Sequence, residues 1–404
     1  MGCCAKKRKT NEDSLLSNDD KNYSITDDES IEVNTKTQTY TSMTNVKKKM
    51  SYNDFEHLKL LGTGSFGRVL LVRKKDNKKL YAMKILLKSY LKRYHQEEHT
   101  KAERDLMVSM NSPFIINIKY AFQDETQLYI VTEFMQGGDM FFHLHENENN
   151  KFDRERAKFY IIELLLALEY LHQNNMIYRD LKPENILMDK DGHIKIADFG
   201  LSKELNDIND TANTLCGTPQ YLAPEVIIKK EYDKGVDWWS LGCVLYEFLT
   251  GYLPFNIPQN NQLSLRVYKI PLQFPPEMDK TDIDLIRKLL TIDPKNRIGY
   301  GSNDANDIKK HPYFKDVDWE KYQRKEIKPP FIPRLENEVD LKYFDKAFTE
   351  ESICVKKNVP RSRVQSDYFG FTFTGNSARK DLDPLEQKHN IENDIKEEDD
   401  ESLD

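Results

Sequence analysis

The chain has 404 residues, a length sufficient for two or three packed units, with a net charge of −7 and 38% hydrophobic residues. Acidic residues are concentrated in residues 381–404, which carry 2 basic and 11 acidic side chains; the body of the chain is therefore nearly neutral, which argues against a nucleic-acid-binding protein. The five cysteines have neither metal-ligand spacing nor the density of a disulfide scaffold, which argues against a zinc site.

The same cysteine pattern favours a reducing compartment. The chain also lacks the apolar core of a signal peptide and the roughly 20 apolar residues that span a bilayer. We therefore expect a cytoplasmic protein.

Residues 1–54 are rich in Ser, Thr, Asn, Asp and Lys, so they bury too little apolar surface to fold and are predicted to form a flexible arm. The arm starts with Met1-Gly2-Cys3-Cys4 and a basic run at residues 6–9. This combination predicts myristoylation of Gly2, palmitoylation of Cys3 and Cys4, and attachment to the cytoplasmic face of a membrane, because one acyl chain alone binds only marginally. A plain basic arm is the alternative.

From Phe55 the pattern changes to short apolar runs separated by turn residues. Runs at residues 55–61, 69–73 and 80–86 predict an antiparallel meander, a helix is predicted at 95–110, and two more strands are predicted at 116–122 and 127–134. The chain then becomes helical, with an apolar stripe over residues 153–173 and a segment at 236–249 that is apolar on nearly every side. The latter pattern is typical of a buried core helix.

A glycine-rich stretch lies between the first two predicted strands. Residues 62–67 have the GxGxxG spacing, which dinucleotide folds and phosphate loops share. A dinucleotide fingerprint opens a helix, whereas here a strand follows, so a dehydrogenase is excluded and the glycines are placed at a hairpin tip. Such a tip can fold over phosphates; a simple glycine hairpin is the alternative.

Lys84 is a charged residue within an otherwise apolar strand. A buried ammonium needs a partner, and Glu103 on the next helix is the best candidate. Paired in this way, Lys84 would be held toward the phosphates of a nucleotide. The alternative is an edge-strand lysine and a solvated helix face.

Polar residues cluster at residues 178–185, and Asp198-Phe199-Gly200 follows. Phosphoryl transfer needs a carboxylate that orients the attacking hydroxyl, oxygen ligands for Mg²⁺, and a cation near the transferred group. The carboxylate would be that of Asp180, the Mg²⁺ ligands would be Asn185 and Asp198, and the cation would be Lys182.

These residues give the chain a resemblance to eukaryotic protein kinases from Phe55 to about Phe314, and Thr214–Glu225 is similar to the activation segment of the AGC serine/threonine group. The resemblance implies an α+β, two-lobed fold with a small β-rich N-lobe containing one main helix and a larger, mainly helical C-lobe. It also implies a catalytic domain at 55–314, an AGC-type tail at 315–383 with a hydrophobic motif at Tyr368–Phe373, and an acidic disordered tail at 384–404.

The resemblance further implies the roles of individual residues. Asp180 would be the catalytic base with Lys182 beside it, and Asn185 and Asp198 would bind Mg²⁺. ATP would be bound by Leu61, Gly62, Thr63, Gly64, Ser65, Phe66, Gly67, Val69, Ala82, Lys84, Glu103, Glu133, Met135, Asp139 and Leu187. Glu225 and Arg297 would form an ion pair in the large lobe.

Regulation and substrate choice are also implied. Thr214 and Thr372 would be phosphosites, with His99, Arg179 and Lys203 positioned to receive the phosphate of Thr214. Basic residues before the acceptor would meet Asp139, Glu184 and Glu247, and an apolar residue after it would meet Leu215, Pro219 and Leu222.

The sequence thus predicts an ATP- and Mg²⁺-dependent serine/threonine kinase that acts on basic protein motifs and is activated by an upstream kinase. The alternative is a catalytically inactive, membrane-tethered scaffold with a kinase fold. The presence of Lys84, Glu103, Asp180, Asn185 and Asp198 favours the active enzyme.

Overall fold

A computed structural model describes residues 50–64, 67–145, 150–205, 211–255, 268, 270–351, 368 and 370–375. Gly2, Cys3, Cys4, Ser65, Phe66 and the acidic segment 384–404 lie outside the described residues. Within the described ranges, no helix combines the length and apolar character needed to cross a bilayer.

An antiparallel sheet forms the small lobe. Its strands are β1 (Phe55–Gly64), β2 (Gly67–Lys74), β3 (Leu80–Leu87), β4 (Ile118–Gln123) and β5 (Gln127–Glu133), in the order β1-β2-β3-β5-β4. Helices α1 (Lys88–Arg93) and α2 (Glu97–Ser109) connect β3 to β4. The predicted helix corresponds to α2. Helix α1 was not predicted, because Leu91 is its one buried apolar side chain and a single anchor gives no periodic pattern.

The glycine-rich stretch forms the β1–β2 hairpin, in which Gly64 lies opposite Gly67. A side chain at Gly67 would collide with the carbonyl oxygen of Ile85, so this glycine lets β2 approach β3 closely. Side-chain positions at Gly62 and Gly64 face open space. The predicted hairpin is confirmed, and no helix follows the glycines.

The large lobe is mainly helical. It contains β6 (Gly138–Asp139), α3 (Met140–His145), α4 (Arg154–Gln173), β7 (Met176–Ile177), β8 (Ile186–Met188), β9 (Ile194–Ile196), β10 (Lys203–Glu204), α5 (Pro224–Ile227), α6 (Gly235–Thr250), α7 (Lys280–Leu289), α8 (Ala305–Lys309) and α9 (Trp319–Gln323). The Asp153 carboxylate accepts a hydrogen bond from the backbone N–H of Arg156 at 2.8 Å and starts α4. Every residue of α6 is buried, as the sequence predicted.

The tail returns to the small lobe after α9. Helix α10 (Lys346–Thr349) contacts β1, and β11 (Phe373–Thr374) pairs antiparallel with β4. The tail thereby extends the sheet at the β4 edge. The two-lobed α+β fold predicted from the sequence is confirmed.

Candidate active site

The Asp180 carboxylate is the centre of the polar cluster in the large lobe. Its Oδ2 lies 2.8 Å from both Lys182 Nζ and Asn185 Nδ2, and its Oδ1 accepts a 2.7 Å hydrogen bond from Thr218 Oγ1. Lys182 also donates to Thr218 Oγ1 at 2.7 Å. One carboxylate is therefore fixed by three side chains. Thr218 was not singled out from the sequence, although it lies within the activation segment that was.

Helix α6 fixes the loop that carries Asp180 through hydrogen bonds to Asp237. The Asp237 carboxylate accepts hydrogen bonds from the backbone N–H groups of Tyr178 at 2.9 Å and Arg179 at 2.8 Å. Arg179 has a positive φ of 70°, a conformation that costs energy for a residue with a side chain. The two hydrogen bonds stabilise this conformation and so fix the direction of the next residue, Asp180.

A buried histidine supports Asp237 in turn. His172 Nε2 lies 2.9 Å from Asp237 Oδ2, and His172 Nδ1 lies 3.0 Å from Asp304 Oδ1. Burial alone would lower the pKa of His172, but hydrogen bonds and charge from the two carboxylates outweigh it and raise the pKa to about 9. His172 is therefore protonated at neutral pH. No local sequence pattern indicates this triad, because its members are far apart along the chain.

Lys84 joins the two lobes. Its Nζ lies 2.7 Å from Glu103 Oε1, the partner expected from the sequence, and 3.5 Å from Asp198 Oδ1. Burial opposes the charge of Lys84, but the two carboxylates raise its pKa. The Lys84 charge lowers the pKa of Asp198, so both groups are ionised at neutral pH.

The described residues expected around ATP lie at the junction of the lobes. Val69 of β2 is opposite Lys84, Ala82 of β3 is opposite Thr132 of β5, and Leu187 of β8 is opposite Asp139. These three apolar side chains are half-buried, as is Leu61 near the end of β1. The arrangement places apolar surface on both sides of the segment that links the lobes.

Asn185 and Asp198 supply oxygen atoms that suit a hard cation. The Asn185 amide nitrogen donates to Asp180, so the amide oxygen is the atom that a cation would meet. The Asp198 side chain is 54% exposed. The backbone N–H of Ala197, which precedes Asp198, donates to the Asn185 carbonyl at 2.9 Å and joins the two segments. A carboxylate and an amide oxygen fit Mg²⁺, which prefers a few protein oxygens together with phosphates and water.

An acidic surface lies beside the Asp180 cluster and consists of exposed Glu184, half-buried Asp139 and Glu247, which is largely buried. Tyr221 Oη donates to Glu247 Oε2 at 2.6 Å, and burial, assisted by the charge of Glu184, raises the pKa of Glu247 to about 7. Burial, with the Glu184 charge adding to it, also raises the pKa of Asp139 to about 6. Glu184 therefore lies close enough to both Asp139 and Glu247 for its charge to act on them.

The apolar residues expected beside the acceptor differ in exposure. Leu215 and Pro219 are exposed, whereas Leu222 is buried. Leu222 therefore contributes packing beneath the segment, whereas Leu215 and Pro219 are accessible on its surface.

Thr214 has an exposed side chain, and its carbonyl accepts a 2.8 Å hydrogen bond from Tyr232 Oη. Arg179 Nη1 donates to the same Tyr232 Oη at 3.2 Å, and Lys203 Nζ donates to the Thr211 carbonyl at 2.7 Å. Two of the three expected cations are thus close to the segment that carries Thr214. The third, His99, lies on α2, where its ring is 3.3 Å from Gln96 Oε1.

The hydrophobic motif is docked on the small lobe. Tyr368 and Phe371 are buried, and Arg104 of α2 donates to the Gly370 carbonyl at 2.6 Å. Gln123 of β4 donates to the Tyr368 carbonyl, also at 2.6 Å. Thr372 is exposed beside these contacts.

The segment linking the lobes, residues 133–137, also contacts the tail. The ring of Phe134 stacks on Phe344 with 5.8 Å between centroids, and Gln136 Nε2 donates to the Asn337 carbonyl at 2.6 Å.

In the large lobe, Arg297 Nη1 lies 2.7 Å from Glu225 Oε1, which is the buried ion pair predicted from the sequence.

Comparison with known proteins agrees with this geometry. Residues 55–314 match the protein kinase domain family. The chain is 46% identical over 307 residues to the serine/threonine-protein kinase gad8 of Schizosaccharomyces pombe, covering 76% of this chain and 53% of that protein. It is 42% identical over 334 residues to the RAC family serine/threonine-protein kinase homolog of Dictyostelium discoideum, covering 82% and 74%. It is 43% identical over 314 residues to the RAC-beta serine/threonine-protein kinase of Rattus norvegicus, covering 78% and 65%. The chain spans about half of the length of the fungal relatives it matches.

Proposed function

Since the chain belongs to the protein kinase family and, within it, to the AGC group of serine/threonine kinases, we propose that it transfers the γ-phosphoryl group of ATP to serine and threonine residues of proteins. The observation that carries this proposal is the convergence of Lys84, Glu103, Asp180, Asn185 and Asp198 at one junction of the lobes. A scaffold without activity would not need all five groups in place.

Each side chain has a role in this reaction. Asp180 orients the substrate hydroxyl and accepts its proton, while Lys182 lies beside the carboxylate and stabilises negative charge on the transferred group. Lys84, fixed by Glu103, holds the phosphates of ATP. Asn185 and Asp198 would hold Mg²⁺, which neutralises phosphate charge when bound.

The test is phosphate transfer from labelled ATP to a peptide with arginine before its serine. Asp180→Asn removes the charge that orients the hydroxyl, so we expect kcat to fall about 10³-fold. Asp191→Asn is the matched control, because Asp191 is an exposed aspartate on the turn before β9 and should leave kcat unchanged. A wild-type protein that transfers no phosphate would support the scaffold instead.

We propose the same basic motif as the substrate preference, because Asp139, Glu184 and Glu247 form an acidic surface beside Asp180. Phosphorylation of Thr214 and Thr372 by an upstream kinase is the proposed means of activation. It is supported by the exposed Thr214 near Arg179 and Lys203, and by the exposed Thr372 beside the docked aromatic rings.

We propose in addition that the arm attaches the protein to the cytoplasmic face of a membrane through Gly2, Cys3 and Cys4. The motif of residues 1–9 supports this, since it combines a glycine and two cysteines of the types that are acylated with four positive charges. Fractionation of cells expressing Gly2→Ala tests it, and membrane recovery equal to that of the wild type would rule it out.

A further inference from the structure

A polar cluster beside the hinge (residues 133–137) joins three elements through one carboxylate. Glu133 Oε1 accepts hydrogen bonds from the backbone N–H of Asn117 at 2.8 Å, from Asn117 Nδ2 at 3.2 Å and from Lys195 Nζ at 2.7 Å. The backbone N–H of Glu133 donates to the Asn117 carbonyl at 3.3 Å. We call these three residues the hinge brace.

The hinge brace connects both lobes. Asn117 directly precedes β4 of the small lobe, whereas Lys195 is in the middle of β9 of the large lobe. Backbone hydrogen bonds from Ile116 N–H to the Ile196 carbonyl at 3.0 Å and from Ile196 N–H to the Phe114 carbonyl at 2.9 Å run beside it. The Glu133 carboxylate thus ties the hinge to a place where the lobes are already in contact.

The ion pair in the hinge brace is well placed to resist movement. The side chain of Lys195 is 10% exposed and that of Glu133 is 26% exposed, so water screens the pair only partly. Burial opposes the charge of Glu133, but Lys195 and the Asn117 hydrogen bond lower its pKa, and the carboxylate stays ionised. Hydrogen bonds between charged groups are stronger than neutral ones.

The other long side chains of the hinge are also held by contacts. Phe134 stacks on Phe344 and Gln136 donates to the Asn337 carbonyl, so both are bound by the tail, while Met135 is buried in the core. Glu133 is bound by the hinge brace. The family resemblance places ATP against Glu133 and Met135. Because their side chains contact protein, the hinge backbone is the part left for a nucleotide, and the position of this backbone depends on these contacts.

We infer that Asn117 and Lys195 are positioning residues for nucleotide binding, which act through Glu133 to hold the hinge backbone where the adenine ring meets it. The inference rests on the proposed function, since it deepens the account of the ATP site. A hinge held in the binding geometry loses less conformational entropy when ATP binds, and this raises affinity without taking part in phosphoryl transfer.

The test separates KM from kcat in the full chain. Lys195→Met keeps the length of the side chain but removes its charge, and we expect KM for ATP to rise about five- to tenfold while kcat changes less than about twofold. Lys195→Arg should restore the wild-type KM, and Asn117→Ala should raise KM by a smaller factor. Lys309→Met is the matched control, because Lys309 makes a comparable ion pair with Glu169 on another face of the large lobe.

A second measurement follows the hinge without catalysis. In Lys195→Met, amide hydrogen exchange over residues 133–137 should be at least about tenfold faster than in the wild type and in Lys309→Met. Wild-type exchange and KM in Lys195→Met, or the same rise in KM for Lys309→Met, would overturn the inference. A wild type without turnover would overturn the proposed function alone, since hydrogen exchange would still decide the hinge brace.

Discussion

The catalytic loop (residues 178–185) and the activation segment (its described residues 201–205 and 211–222) lie against each other but differ in the contacts of Asp180 and Lys203. In the catalytic loop, Asp180 is bound by Lys182, Asn185 and Thr218. In the activation segment, Lys203 is bound to a backbone carbonyl.

This difference suits the catalytic loop to phosphoryl transfer and the activation segment to regulation by phosphorylation. Charges already bound to one another in a fixed geometry need no reorganisation during the reaction. A cation that donates to a backbone carbonyl near an exposed threonine gains more from a phosphate, because an ion pair with two negative charges is stronger than a hydrogen bond to a neutral acceptor. We therefore expect changes in the catalytic centre to reduce turnover directly, and changes in the activation segment to act through its order.

The largest effect is expected for Asp198→Asn. The side chain of Asp198 is 54% exposed and 3.5 Å from Lys84, so the substitution removes a charge from the catalytic centre but little packing. We expect kcat to fall about 10³-fold while the free energy of unfolding changes by less than about 1 kcal/mol. Steady-state kinetics and denaturant unfolding measure the two quantities. A loss of kcat below tenfold would contradict the assignment of Asp198 to the reaction.

A smaller effect is expected for Thr214→Ala, which prevents phosphorylation but leaves the catalytic loop intact. We expect kcat/KM to fall about 10- to 100-fold relative to phosphorylated wild type, because Arg179 and Lys203 lose the phosphate that would order the segment. Phosphatase treatment should bring the wild type to the level of the variant. Thr211→Ala, on the same segment, is the control and should respond to phosphatase as the wild type does. Equal activity of Thr214→Ala and phosphorylated wild type would contradict the proposed activation.

Part of the fold and of the candidate site could be predicted from the sequence. Local patterns predicted β1–β3, α4 and α6, and the unusual lysine in an apolar strand led to Glu103. Thr218, Asp237 and Lys195 carry no comparable local signal. They reach Asp180, Tyr178 and Glu133 across 38, 59 and 62 residues of sequence, and only packing of the fold brings them together.

The family resemblance implies the roles of individual residues. The structure adds the physical constraint that each role must meet. Asp180, for example, can orient a hydroxyl only while Asp237 holds the backbone of Arg179 at positive φ.

A moderate effect of pH on stability is expected from His172. Its pKa is raised to about 9 in the folded protein, above the ordinary value of 6.5, so its contribution is complete below about pH 6.5 and is lost as pH rises through 9. We expect the apparent Tm of the wild type to fall by about 3–6 °C more than that of His172→Gln between pH 7 and pH 9.5. The control is His145→Gln, which replaces an exposed histidine and should follow the wild type. Identical pH slopes for wild type and His172→Gln would contradict the ion triad.

The smallest effect concerns substrate binding by the acidic surface. Glu247, with a pKa raised to about 7 by burial and Glu184, is mostly ionised at pH 8 and mostly neutral at pH 6. An arginine on the substrate binds the ionised form, so KM for an arginine-containing peptide should rise by up to about tenfold from pH 8 to pH 6. Glu247→Gln should have a high KM that changes much less over this range, and a peptide with alanine in place of arginine should show the same weak pH dependence with either protein. An unchanged pH dependence in Glu247→Gln would assign the titration to another group. Asp139 would then be the next to test, since its pKa of about 6 predicts a KM that rises mainly at the lower end of the range.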